Sequence, residues 1–336
     1  MQPPWIKSKG LICALTLAGC TGSIGSGARG GGGEEVVNDN IAKSLCVVDT
    51  PIRRLTRFEY NNTVRDLLGD TTHPADVLPP EEEVAGFSNQ AAALTTSDLL
   101  IEQYMKVAED VGARAVQNLG ALIPDCSPEL DGADTCATQF IDDFGMRAFR
   151  RPLTLSEATR YKTLFDGAMN DPDLGRFEDG IQMVIEAVLQ SPSFLYRAEL
   201  GDEAPIEGDI VPFTSWEMAT KLSYMLWNTM PDDELFAAAA ADALRTKEQI
   251  EMQARRMVND EKASDLIRNF HTQWLQLGHL DSVTKDTGVY PDFRGSLRSL
   301  WKEEIQRFIE HVILEGDGSL DTLLTADFSF MNEELA

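Results

Sequence analysis

Cys20 is the first side chain in this sequence whose surroundings suit it to chemistry. It ends the run Leu17-Ala18-Gly19-Cys20, where small side chains precede a thiol that could take up a thioether. Cys126 and Cys136 bracket the polar stretch SPELDGADT, which contains Pro128 and Gly132. In an oxidising compartment such a pair closes a disulfide, worth about 2.5–3 kcal/mol for so short a loop in the chain-entropy account. The alternative is two free thiols. Cys46 has no evident mate, and no Cys or His spacing fits a metal set, so no metal is expected. Arg53, Arg54 and Arg57 gather at a helix start, the end where the dipole disfavours cations. They could dock a carboxylate or an acidic partner segment through bidentate contacts. They could also form an internal salt-bridge hub with Glu81, Glu82 and Glu83, which is the favoured reading. Arg147, Arg150 and Arg151 fall at a helix C-terminus, where the dipole accounts for them.

The remaining candidates are weaker. Among His73, His271, His279 and His311, only His311 has carboxylates at helical spacing, Glu304 and Glu315. A solvated helix face explains it better than acid–base or metal chemistry. Glu315, Asp317 and Asp321 lack the spacing of an EF-hand, and a turn with Ser319 capping the next helix is the simpler account. No glycine-rich phosphate cradle and no G-x-S-x-G occur.

The segments around Cys20 explain its setting. Lys7 and Lys9 precede the apolar run Leu11–Ala18. Eight apolar residues fall well short of the ~20 that span a bilayer, and the pattern is that of a secretory leader over residues 1–19. Leu17–Cys20 resembles the lipobox of bacterial lipoproteins. That resemblance implies lipidation at Cys20 after cleavage, with more than one acyl chain, because a single chain anchors weakly. An ordinary cleaved leader with an incidental Cys20, or a buried helix, is the alternative. Residues 20–50 read as a tether: Thr21 to Glu35 holds seven glycines and little to bury. About 25 such residues reach roughly 25–30 Å. Thr21 is not the Asp that favours inner-membrane retention in many lipoproteins, which implies an outer-membrane or cell-surface location. The net charge of −26 argues against nucleic acid as a partner and leaves the N-terminal lipid as the expected link to the membrane.

The rest of the chain is dominated by helical periodicity. Thr56/Glu59, Thr154/Glu157, Thr214/Glu217 and Thr246/Gln249 each have the form of a capping box ahead of apolar residues at three–four spacing. Gly69 and Pro152 are expected stops. Pro231 is expected at the first position of a helix, with Asp232, Asp233 and Glu234 in its first turn. Trp227, Phe270, Trp274, Trp301 and Phe308 are expected in the core. Asp209–Phe213 is at most one short strand. The fold class is therefore all-α, an irregular array of about nine to ten helices. Breaks near Leu119–Pro124 and Gly201–Gly208 divide it into modules at 51–119, 124–200 and 208–336. The chain ends on SFMNEELA without a helix stop, so the third module is expected to be truncated at its C-terminal end.

Five ordered stretches then form a pattern: Arg53–Asp70, Ala148–Thr154, Gln190–Glu199, Lys221–Leu235 and Leu323–Ala336. Together they resemble the exported planctomycete- and myxobacterial-type proteins of the domain-of-unknown-function 1592 family, with its 1587- and 1595-type modules upstream. The resemblance carries no established activity. It implies haem only in a C-terminal continuation bearing C-x-x-C-H. That motif is absent from residues 1–336, so no cofactor is expected in this chain. The expected function is a lipid-anchored extracytoplasmic helical scaffold or binding protein, with an envelope protein as partner, in a redox or polymer-processing complex. The alternative is an extracytoplasmic hydrolase that acts on a polymer through paired carboxylates.

Overall fold

The computed structural model describes residues 51–201 and 211–335. The leader, Cys20, the tether and Cys46 lie outside the described residues, as do the first two residues of Asp209–Phe213. The described residues form ten helices of seven or more residues and one two-stranded sheet, an all-α architecture.

Helix α1 (Arg57–Leu68) begins with a complete Thr56/Glu59 capping box and stops at Gly69, whose φ of 72° only glycine adopts cheaply. Helix α2 (Asp98–Ala115) starts at Ser97, whose hydroxyl accepts from the Leu100 amide. Helix α3 (Ala133–Phe149) is followed by α4 (Leu155–Met169), with the Thr154/Glu157 box, and by α5 (Phe177–Leu189). Helices α4 and α5 pack against each other, and α2 packs on α5. Their approach is close because Gly180 has no side chain: a Cβ there would meet the Phe165 ring at 2.5 Å.

One hydrophobic cluster runs from Leu55 to Leu195 and also takes in Tyr224. The first two modules therefore share a core. Its fully buried members include Tyr60, Ile181, Ile185 and Phe194. Strand β1 (Arg53–Arg54) pairs antiparallel with β2 (Tyr196–Arg197), joining the beginning of the first module to the end of the second. Periodicity gave no hint of these two-residue strands. The Leu55 amide extends the join by donating to the Leu195 carbonyl at 2.8 Å.

Helices α6 (Ser215–Leu226), α7 (Asp233–Ala240) and α8 (Lys247–Val258) build a second cluster around Trp227, Leu235, Leu244 and Met257. The Trp227 indole donates to the Met257 carbonyl at 2.9 Å, so its one polar atom is satisfied inside. The boxes at Thr214/Glu217 and Thr246/Gln249 are both complete. Asp232 caps α7, which places Pro231 one step before the cap and not at the first helical position.

Helices α9 (Ala263–Trp274) and α10 (Leu297–Glu310) follow, then a π-turn over His311–Glu315 and a short helix at Leu320–Thr325 capped by Ser319. Little is buried here. Phe270 is 45% and Trp274 40% exposed, against the expectation that both lie in the core. Trp301 and Phe308 are half-buried. Their helical spacing does place them on common faces, but the faces meet other aromatic rings at the surface: Phe87 stacks on Phe270 at 5.5 Å, and Phe308 meets Phe328 at 5.4 Å.

Candidate functional site

Three guanidiniums converge where the first two modules meet. Arg54 sits on β1, Arg197 on β2, and Arg150 just past the end of α3. Arg54 donates through Nη1 to the Tyr104 hydroxyl at 2.7 Å and to the Leu55 carbonyl at 3.1 Å. Arg150 donates through Nη2 to the carbonyls of Ser193, Phe194 and Tyr196 at 2.8, 2.9 and 3.1 Å. Its Nη1 reaches the Tyr224 hydroxyl at 3.1 Å. Arg197 donates through Nη2 to Glu59 at 2.9 Å and lies over the Tyr224 ring, 4.5 Å from the centroid.

The α3 terminus explains how Arg150 arrives there. Helix α3 stops at Phe149, three residues before Pro152, and Arg150 takes a left-handed backbone with φ of 58°. Few non-glycine residues adopt that conformation. Here the turn swings the side chain inward, where its hydrogen bonds offset the strain. Arg150 is therefore not a surface cation on a helix dipole, as its position near a C-terminus suggests; it is 3% exposed.

Glu59 has two duties. One oxygen accepts from Arg197, and the other completes the capping box through the Thr56 amide at 2.9 Å. Thr63 links α1 to α6 by a 2.8 Å contact between its hydroxyl and that of Tyr224. Tyr60 stands at the cluster's edge with its ring against Tyr104 and Phe194. Burial pushes the hydroxyls of Tyr60 and Tyr104 above their ordinary range, so both stay protonated and neither serves as a base. Among the described residues, Glu59 is the one carboxylate hydrogen-bonded to these three guanidiniums. The Nε atoms of Arg54 and Arg197 and the Tyr60 hydroxyl are buried without a protein partner.

Four of the five sequence stretches meet at this cluster: Arg53–Asp70 supplies Arg54, Glu59 and Thr63, Ala148–Thr154 supplies Arg150, Gln190–Glu199 supplies Arg197, and Lys221–Leu235 supplies Tyr224. Tyr104 comes from none of them and carried no sequence signal beyond its place on the apolar face of α2. No described residue of the fifth stretch, Leu323–Ala336, bonds to this cluster.

The other predicted residues are dispersed. Arg53 pairs through its backbone with Arg197 and is half-buried. Arg57 donates to Glu81 through both its amide, at 2.6 Å, and its Nε, at 3.2 Å. With Arg54 turned inward, the three residues do not share one basic face. Arg147 pairs with Asp233, and Arg151 makes a two-pronged contact with Glu157 at 2.9 Å on each arm. Cys126 and Cys136 are joined as a disulfide. Asp131 lies close by, its carboxylate within 4.8 Å of both sulfurs, but the oxidised pair offers no thiolate to a metal. His311 contacts Glu315 at 2.9 Å on an exposed face. The Asp317 carboxylate accepts from Ser319 and Thr322, as a turn cap would.

Beside Arg150 and Arg197 opens a cleft of about 720 Å³, walled by Phe149, Arg151, Tyr196, Leu200, Trp216 and Glu217 among others. Among the described residues, Glu217 is the single carboxylate in its wall. Its oxygens accept from the amides of Leu200, Gly201 and Thr214 at 2.5, 2.9 and 2.8 Å.

Comparison with known families gives three consecutive matches. Residues 53–117 match a protein of unknown function (DUF1587), 136–199 one described as DUF1595, and 213–336 one described as DUF1592. No curated protein and no solved structure matches the chain.

Proposed function

We propose that this chain, which carries the DUF1587, DUF1595 and DUF1592 domains in that order, is a lipid-anchored extracytoplasmic scaffold or binding protein of the cell envelope. One observation carries the scaffold reading: polar groups from four separate sequence stretches bond one another across the modules. Arg54, Arg150, Arg197, Glu59 and Tyr224 hold the modules in one arrangement, and neither buried phenol is poised as a base. A scaffold needs fixed geometry between modules, and charge-assisted hydrogen bonds to buried carbonyls supply it. Export is supported by the leader pattern and by the disulfide, which belongs to oxidising compartments. The anchor rests on Leu17–Cys20 and the glycine-rich stretch behind it.

Hydrolysis by paired carboxylates is the weaker reading. It needs two carboxyl groups facing a substrate across roughly 5–10 Å, and among the described residues the cleft beside Arg150 carries Glu217 alone, already engaged by three amides.

The decisive experiment is expression in a bacterial host with radiolabelled palmitate. The wild type is expected to take up label and to sediment with membranes. Cys20→Ala is expected to lose both. Equal label-free release of the two proteins would remove the anchor, and polymer cleavage abolished by a carboxylate substitution would replace the scaffold reading with the hydrolase.

A further inference from the structure

The charge at the arginine cluster does not close. Arg150 is buried, and its partners are a phenol and three carbonyls, all neutral. Arg54 likewise meets a phenol and a carbonyl. Glu59 serves Arg197 and must also cap α1. Buried cations without a counter-charge are costly, and proteins normally pair them. In a chain of net charge −26, a buried excess of positive charge is not a by-product of composition.

Part of this excess faces the cleft. Arg150 lies in its wall, together with Arg197, which is paired with Glu59, and Arg151, which is 39% exposed at its side chain and paired with Glu157. Glu217 is a negative charge in the same wall, its oxygens turned to the amides of Leu200, Gly201 and Thr214. Much of the remaining described wall is apolar or aromatic, with Phe149, Trp216 and Leu200. The volume lies in the range of small-molecule sites. Beyond the guanidiniums, the described wall offers the hydroxyls of Ser193, Thr214 and Thr220, the last already donating to the Trp216 carbonyl. A phosphate, with more oxygens to satisfy, is poorly served by such a wall, whereas a carboxylate needs only a guanidinium edge.

We propose that this cleft binds an amphipathic carboxylate: one carboxylate head turned to the Arg150–Arg197 wall beside Arg151, and an aliphatic or aromatic body lying along Trp216 and Phe149. The bound anion supplies the missing counter-charge. This site does not depend on whether Cys20 carries lipid.

The test is calorimetric titration of the full chain at pH 7 with three probes: decanoate, decanol and inorganic phosphate. Decanoate is expected to bind one to one, at least about tenfold more tightly than either control. Two variants leave the buried cluster intact. Leu200→Asp puts a negative charge at the mouth, on a residue 74% exposed, and is expected to weaken decanoate about tenfold with an unchanged melting temperature. Arg151→Gln is expected to weaken it about threefold to tenfold. Failure of decanoate to bind overturns the proposal. So does decanol or phosphate binding as tightly as decanoate, and so does unchanged affinity in both variants.

Discussion

Helices α5 and α10 are nearly equal in length, and both have one apolar face, yet they meet opposite fates. Helix α5 buries Ile181, Val184, Ile185, Val188 and Leu189 against neighbours on more than one side. Helix α10 buries Ile309 alone. The difference lies in what surrounds each. Around α5, glycine contacts, the disulfide and the arginine cluster draw five helices into one core. Around α9 and α10, the charged links are ion pairs at the surface: Arg268 with Glu310 and Lys302 with Asp281. Such exposed pairs contribute little, with a median of about 0–1 kcal/mol. An amphipathic helix thus sets which face could be buried, and its neighbours decide whether it is.

Core truncation separates the two regions most sharply. Phe165→Ala removes a ring packed between α4 and α5 and is expected to cost about 3–5 kcal/mol in urea unfolding. Phe308→Ala, at a half-buried ring, is expected to cost about 1 kcal/mol. Equal costs would erase the contrast. Next in size is the disulfide. Replacing Cys126 and Cys136 by serine is expected to lower stability by about 2.5 kcal/mol, with the loss confined to the transition that reports α2–α5. A C-terminal transition that moves equally would show the two regions to be one cooperative unit.

The join between the regions offers a finer test. Asp66 on α1 accepts from Lys262 at 2.8 Å and from Thr229 at 3.0 Å, and Arg65 bonds it at 2.9 Å. Burial alone would raise its carboxyl, but the hydrogen bonds from Arg65 and Lys262 outweigh burial and hold it below the usual range. Asp66→Asn is expected to lose about 1.5 kcal/mol of that join. Hydrogen exchange should then quicken about tenfold in α9 and leave α5 unchanged.

The smallest effect is on pH. Arg151 bonds Glu157 and holds it down to about 2. A depressed carboxyl stabilises fully above its unfolded value near 4.5, and that contribution is lost as pH falls through about 2. Because the pair is partly exposed, the expected amount is a few tenths of a kcal/mol. Glu157→Gln should flatten the stability curve between those values, read as urea midpoints at pH 5 and pH 2.5.

Much of the fold was legible because its signals are local. A capping box needs only four residues, and all of Thr56, Thr154, Thr214 and Thr246 start helices as their spacing predicts. The short polar loop between Cys126 and Cys136 likewise kept its two sulfurs close enough to bond. What was not legible depends on distant partners. A two-residue strand has no periodicity to detect, and β1 exists because β2 lies beside it. Arg150 looked like a dipole-compensating cation, since nothing nearby in sequence announces a left-handed turn at an arginine. Phe270 and Trp274 carry the spacing of core residues, and only the absence of a covering layer among the described residues leaves them at the surface.

The two-residue ladder between β1 and β2 also sets how mechanical load would travel. Any pull on the chain ahead of Pro51 meets the ladder within a few residues, and Arg197 hands it on through Glu59 to the first turn of α1. Tension entering there is shared at once by the beginning of the first module and the end of the second, so the seam between them bears force before any single helix can be drawn out.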